Sequence, residues 1–410
     1  MPTLADRLKS LGVKKGAESL PPPKPRSTFP IEDVISGRFV DTTGGSAFLT
    51  ENFFSSKYTH GQVGLQIQTP LRVIANWAGF DNISLNVLND FAFLDTETSG
   101  LAGGTGTFAF MVGVGRFVEQ DFHLVQFFMR DPFEEPAMLL ALEEFLAPCK
   151  TLVTFNGKSF DAPLLTTRYT LQGWPSPMGR MAHIDLLHLA RRLWRDRLPS
   201  RTLSNLEVQI LGAQRSEEEI PGWMIPQMYF DFLRDGDARP MKRVFYHNEM
   251  DVLSMAALLN LVANLLENPE GEKNIPASDK AAMGRLYEDI GYLDLADQVY
   301  MDSLNADLLP ELRMKTILCL AALRKRRGNY TLSIPLWEQA AGEGYVEAFI
   351  ELAKYYEHRA KDLGAALYWT RAASHLIAAP GFPSLDLANW QVELKRRLER
   401  LIKKTGENQV

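Results

Sequence analysis

The rhythm of apolar and polar positions changes several times along this 410-residue chain. From Phe91, "FAFLD" is a continuous apolar run ending on an acid, the pattern of a buried central strand. "FAFMVGVGRF" and "FHLVQFFMR" are two further strand-like runs joined by the acidic turn "VEQD". "EPAMLLALEEFLA" has helical spacing with acids near its start. "TLVTF" predicts another short strand, broken by "NGKSFD". "VFYHNEMDVLSMAALLNLV" is helical by period, with Val252, Met255, Leu258 and Leu259 forming an apolar stripe.

The flanks read differently. Residues 1–30, with "LPPPKPR" near their end, predict a disordered, Pro-rich N-terminal segment. Residues 31–89 are short and mixed, with turn signals at "TTGGS" and "THGQ", and predict an accessory strand-and-loop segment. The strand and helix runs fill 90–266. After a 267–280 linker, "ENPEGEKNIPASDK", residues 281–410 turn helical throughout. Trp337 and Ala340 recur as Trp369 and Ala372, a step of 32, and aligning Tyr292 with Tyr330 gives a step of 38. Such steps resemble helix-turn-helix repeats of the tetratricopeptide kind, with a plain helical bundle as the other reading. The order β-β-β-α-β followed by helices resembles a ribonuclease H-like fold: an α/β mixed sheet flanked by helices, here followed by an all-α repeat domain.

Composition narrows the classes. A 46% hydrophobic content suits buried cores, and a net charge of −6 gives no global positive field for nucleic acid. The first thirty residues contain no apolar core of signal-peptide length. No apolar stretch elsewhere is expected to reach the roughly 18 to 20 residues of a membrane span. Cys149 and Cys319 match no metal-ligand spacing and read as free thiols in a reducing cytoplasm.

Four carboxylates stand out by context. Asp95 and Glu97 flank Thr96 at a strand end, and residues two apart on a strand share a face. Asp161 is expected at the junction of a strand and a loop. His247 precedes Asp251 by four residues, about 400° of helix, so the two share a face. Four acids closing on one point repel unless cations neutralise them, and hard oxygen ligands select Mg²⁺ or Mn²⁺. Two such ions about 4 Å apart form the clamp used for in-line attack on phosphodiesters. The competing reading of "GGTGT" as a phosphate cradle fails, because no Gly-Lys-Ser/Thr triplet follows and the next residues are strand-like.

"DTET" in a core strand, "FNGKSFD" after a later strand and "HNEMD" on a helix resemble the three motifs of the DEDD exonuclease superfamily. "FLDTETSGLAGGTGTFAFMVGVGRF", "DLLHLARRLW", "LSNLE" and "HNEMDVLS" are most similar to its bacterial YprB-type branch, whose members often carry tetratricopeptide-like repeats. The resemblance implies a 3′-5′ exonuclease that hydrolyses single-stranded DNA or RNA to 5′-mononucleotides. It implies Asp95, Glu97, Asp161 and Asp251 as ligands of two divalent ions, Mg²⁺ or Mn²⁺, and His247 as general base. Family members with histidine have a four-residue gap before the last Asp, whereas here His247 has three and Tyr246 has four. Helix geometry favours His247, since a five-residue step points Tyr246 some 140° away.

Substrate contacts are expected from Thr96, from Gly103, Gly104 and Thr105 in a loop that leaves room for the terminal nucleotide, and from Asn156 and Lys158. Asn156 reads equally as a helix cap. Arg191 and Arg192 head a local basic patch in "HIDLLHLARRLWRDRLPSR", which tracks a strand backbone or simply faces water. The expected partners are single-stranded nucleic acid and a protein on the repeats, with no membrane. Two other readings stand beside the exonuclease: a weak or inactive nuclease-like domain working as a nucleic-acid-binding scaffold through its repeats, and an endonuclease on structured DNA.

Overall fold

The computed structural model describes residues 29–80, 88–100, 106–269, 271, 275–380, 382 and 387–406. Residues 1–28 of the Pro-rich segment, and Gly103, Gly104 and Thr105, lie outside the described residues. The predicted α/β architecture is present. Nine strands are described: β1 (Arg38–Thr42), β2 (Gly45–Phe54), β3 (Thr59–His60), β4 (Val63–Gly64), β5 (Phe91–Thr98), β6 (Ala109–Val118), β7 (Asp121–Phe128), β8 (Thr151–Thr154) and β9 (Ala182–Asp185). Seven of them form one mixed sheet in the order β1-β2-β7-β6-β5-β8-β9. β5 pairs antiparallel with β6 and parallel with β8. The accessory segment contributes directly to this sheet, since β2 pairs with β7 along its length.

The chain divides into two compact units, Met1–Tyr58, Asn89–Met181 and Gln214–Ala256 in one, and Thr59–Leu88, Ala182–Ala213 and Ala257–Val410 in the other. In the first, the apolar runs at Phe91 and Ala109 are buried as central strands must be. Ala92 and Leu94 of β5 join a core with Met138, Leu139 and Leu142 from the helix Glu135–Leu146 and with Leu165 and Tyr169 from the helix Asp161–Leu171. Met241, Val244 and Phe245, the first turn of the helix Met241–Glu267, close the same core. Gly113 and Gly115 of β6 make that helix's approach possible. An added Cβ would stand 2.1 Å from Asn248 Oδ1 at the first position and 2.9 Å from Val252 at the second.

The helix Met241–Glu267 corrects one expectation. It is long and apolar enough to cross a membrane, but 78% of that stretch is buried inside the protein and it carries His247 and Asp251. A core helix covered on all sides has the same composition as a membrane span.

In the second unit the described residues from Ala277 onward form helices in succession: Ala277–Asp289, Leu293–Leu304, Pro310–Arg326, Tyr330–Gly342, Val346–Tyr355, Leu363–Ala378 and Leu387–Thr405. Consecutive helices pack on one another. The last helix is fastened by Glu357, whose buried carboxylate accepts from Arg397 at 3.2 Å, Arg400 at 2.7 and 2.9 Å, and Lys404 at 2.9 Å. Burial opposes that charge, yet the Arg400 and Lys404 hydrogen bonds outweigh it and hold the carboxyl down at about 2.

Candidate active site

Asp95 and Glu97 project from one face of β5, opposite Gly113 and Met111 of β6, and a register shift at Glu97/Thr98 ends the regular pairing. Asp161 is the first residue of the helix Asp161–Leu171, which corrects the expected strand-to-loop position. After β8 the chain reverses at Asn156, whose φ is 67°. Gly157 follows, where a Cβ would stand 2.5 Å from Thr154, and the helix begins four residues later. An acid in a first helical turn is stabilised by the helix dipole. Thr96, between the two β5 acids, hydrogen-bonds through its hydroxyl to Oδ1 of Asp161. From the helix Met241–Glu267, Nε2 of His247 lies 4.0 Å from Oε1 of Glu97 and 3.6 Å from Oδ2 of Asp251. The structure therefore brings Asp95, Thr96, Glu97, Asp161, His247 and Asp251 together within one compact unit.

Sequence reasoning missed Asn248 with its polar support from Gln126 and Thr50, and also Arg215 and Glu219. Asn248 is fully buried, and its Nδ2 donates to Oδ2 of Asp95 at 2.9 Å. Its Oδ1 accepts from Gln126 at 2.9 Å, and Gln126 Oε1 accepts from Thr50 at 3.1 Å. A buried polar chain thus runs from β2 through β7 to the acid. The signal was available as a lone Gln in the apolar run "FHLVQFFMR". Arg215 and Glu219 sit in "GAQRSEEEIPG", which reads as a surface loop. Instead the Arg215 guanidinium is inside the site, with its side chain 9% exposed and its Nη2 ion-paired to Oδ1 of Asp251. Nη1 donates to Oε1 of Glu219 at 2.9 Å. No periodic pattern announces this pair.

Glu219 also fixes the histidine. Its Oε1 is 2.7 Å from Nδ1 of His247, so Nδ1 carries the donated proton and Nε2 is the nitrogen facing Glu97 and Asp251. Tyr246 points elsewhere, its hydroxyl accepting from the backbone N–H of Ser216 at 2.8 Å.

Burial and mutual repulsion dominate the electrostatics. Burial first, then the Asp251, Glu97 and Asp161 charges, push the Asp95 carboxyl well above the usual range. Glu97 is pushed up to about 8, mainly by burial and further by Asp251 and Asp161, against the pull of His247. At His247 burial disfavours the imidazolium, but the Glu219 hydrogen bond and the Asp251 and Glu97 charges overcome it and raise the group to about 9. Without a bound cation, Asp95, Glu97 and the His247 imidazole are therefore all pushed towards their protonated forms.

The other expected contacts are distributed as follows. Asn156 and Lys158 lie in the turn before Asp161. Arg191 and Arg192 belong to the other compact unit, on the helix Leu186–Trp194. Arg192 is engaged there by Asp289 and by the Arg285 carbonyl at 3.0 Å. Asp185 is buried and caps that helix, accepting from Leu187 N–H at 3.0 Å.

Four oxygen-donor side chains, two of them pushed up by burial and by their neighbours' charges, form a set that suits a hard divalent cation. Among the described residues no three stand in ready ligand geometry. Protein donors occupy them: Asn248 on Asp95, Thr96 on Asp161 and Arg215 on Asp251.

Fold and site define a ribonuclease H-like domain, and residues 92–263 match the family described as RNase_H superfamily. "Uncharacterized protein YprB" of Bacillus subtilis (strain 168) is 34% identical over 287 residues, 68% of this chain and 68% of that protein. The chain belongs to the YprB family within this superfamily. The family B DNA polymerase from the hyperthermophilic archaeon Pyrobaculum calidifontis is similar at 17% identity and a TM-score of 0.30, over 51% of this chain and 28% of that one, a likeness too slight to argue from. Membership in the RNase H superfamily supports a hydrolytic nuclease that binds nucleic acid, and nucleases of this fold generally use divalent metal ions.

Proposed function

We propose that the protein is a metal-dependent 3′-5′ exonuclease of the DEDD type that releases 5′-mononucleotides from single-stranded nucleic acid. The observation that carries this reading is the placement of His247 Nε2 between Glu97 and Asp251, on an acid face that also holds Asp95 and Asp161. Asp95, Glu97, Asp161 and Asp251 are the residues that would hold two divalent ions, Mg²⁺ or Mn²⁺, which supply positive charge for in-line displacement at a phosphodiester.

The chain's own groups do the rest. Asn248 fixes the Asp95 carboxylate and Thr96 fixes that of Asp161. Glu219 keeps the Nδ1 proton in place, so a neutral His247 presents its lone pair at Nε2. That nitrogen takes one proton from the attacking water as the water oxygen bonds to phosphorus and the 3′-oxygen departs. A base must be neutral to act, and His247 is held protonated by the surrounding carboxylates. Neutralising those carboxylates removes the charges that raise it. The helices beyond residue 281 act in this reading as tetratricopeptide-like repeats that guide substrate or dock a protein partner.

The test is degradation of 5′-end-labelled single-stranded DNA and RNA with Mn²⁺ or Mg²⁺, alongside covalently closed circles. Stepwise shortening of linear strands with circles untouched supports the exonuclease. Cutting of the circles overturns it in favour of endonuclease action.

A further inference from the structure

The Arg215 guanidinium stands where the acid cluster most needs a cation. One nitrogen pairs with Oδ1 of Asp251, and the other lies 2.9 Å from Oε1 of Glu219 and 3.3 Å from Nδ1 of His247. The side chain is 9% exposed, so this charge is shielded from solvent and strongly felt. Its placement answers the repulsion that four converging carboxylates create in the absence of metal. It also covers Oδ1 of Asp251, one of the residues that would hold a divalent ion.

A landing place is built beside it. Oε2 of Glu219 is buried and makes no hydrogen bond among the described residues. The backbone that carries the pair is fastened, because Arg243 donates to the Glu218 carbonyl at 2.8 Å and to the Glu219 carbonyl at 2.6 Å. Tyr246 accepts from Ser216 N–H at 2.8 Å on the same segment. A guanidinium leaving Asp251 therefore needs only a side-chain rotation to close both nitrogens on both oxygens of Glu219, the bidentate geometry arginine favours.

We propose that Arg215 is a resident counter-cation of the metal-free site that competes with a divalent ion for Asp251, and that metal loading moves its guanidinium from Asp251 onto Glu219. The inference rests on the reading of these acids as metal ligands. It predicts that the protein folds and stays stable without metal, and that Arg215 sets how much divalent ion is needed to load the site.

The test is calorimetric titration of the full-length protein with Mn²⁺ alone, without nucleic acid. Arg215→Gln removes the competitor and is expected to bind Mn²⁺ about tenfold more tightly, the worth of one charge-assisted hydrogen bond. Arg215→Lys keeps the charge but has no fork to span Asp251 and Glu219, and is expected between the two. Glu219→Gln removes the landing place and is expected to bind more weakly than wild type. Thermal melts run alongside, where Arg215→Gln melts lower than wild type in chelator and recovers with Mn²⁺. If Arg215→Gln does not fold, Arg215→Lys carries the comparison and must still bind more tightly than wild type. Equal or weaker binding by the Arg215 variants overturns the proposal while leaving the metal site standing. Tightening in Arg215→Gln with none in Arg215→Lys overturns it too, since charge alone would then act. Absence of Mn²⁺ binding by all four proteins overturns both this proposal and the nuclease reading.

Discussion

Nδ2 of Asn248 donates to Oδ2 of Asp95 at 2.9 Å, through a gap that exists because residue 113 has no side chain. A Cβ on Gly113 would stand 2.1 Å from Oδ1 of Asn248, and Asn248 is fully buried with nowhere to retreat. One glycine on β6 therefore decides how closely the helix Met241–Glu267 presents its polar face to the acids of β5.

Gly113→Ala should accordingly destabilise the protein by about 1 to 3 kcal/mol through overpacking. Asn248→Ala should fold but lose about 10- to 100-fold in metal affinity or activity, the usual effect of removing a group that orients a metal ligand. Urea denaturation and Mn²⁺ titration measure the two effects. A Gly113→Ala protein with an unchanged midpoint contradicts the close-approach account.

His247→Gln should lower kcat by about 10²- to 10⁴-fold, the contribution typical of a general base. Tyr246→Phe should stay near wild type, because its hydroxyl serves the backbone of Ser216 rather than the acids. Single-turnover rates at saturating Mn²⁺ separate the two residues. Reversal of their effects would transfer the base to Tyr246.

The fold's sequence legibility and the site's differ for a physical reason. "FAFLD", "FAFMVGVGRF" and "FHLVQFFMR" could be read as central strands because burial on both faces demands unbroken apolar runs. Asp95 with Glu97, and His247 with Asp251, could be placed on shared faces because strand and helix periods are local properties. Asp161 was displaced by the few residues over which Asn156 and Gly157 reverse the chain, since turn geometry depends on φ values that composition does not reveal. Arg215 was not legible at all. It reaches Asp251, 36 positions along the chain, from a charged stretch that looks like solvent-facing loop. Nor does the apolar composition of the helix Met241–Glu267 by itself distinguish a protein core from a bilayer.

Without metal, stability should fall as pH rises. The Glu97 carboxyl is raised from 4.5 to about 8 in the folded protein, and Asp95 moves in the same direction. Their contribution is full below the ordinary carboxyl range and is lost as pH climbs through the raised values. His247, raised from 6.5 to about 9, has the same sign: its contribution is full below 6.5 and is lost through 9. The melting temperature in chelator should therefore decline from pH 5 to pH 9, less steeply in Glu97→Gln, and Mn²⁺ should restore it at the alkaline end. A flat profile in wild type contradicts the crowding of these groups.

Glu357→Ala should cost about 3 to 5 kcal/mol, because it removes the buried carboxylate that Arg397 and Arg400 share and leaves buried Arg397, among the described residues, with only Glu393 at 3.3 Å. The wild-type carboxyl is depressed from 4.5 to about 2, so its contribution is present above 4.5 and is lost as pH falls towards 2. Limited proteolysis should cleave the variant first near Leu387–Thr405, the helix that Glu357 fastens. Protection equal to wild type there would show that apolar packing alone holds that helix.

The central claim is that the acids of β5 and their partners hydrolyse phosphodiester bonds, and Asp95→Asn tests it most directly. Asp95 feels the charges of Asp251, Glu97 and Asp161, and its carboxyl is held by Asn248. Wild type with Mn²⁺ should shorten end-labelled single-stranded DNA or RNA and release 5′-mononucleotides. Asp95→Asn, folded to the same melting behaviour, should release none. Equal release by the two proteins, or inertness of both on every substrate and metal, would contradict the account.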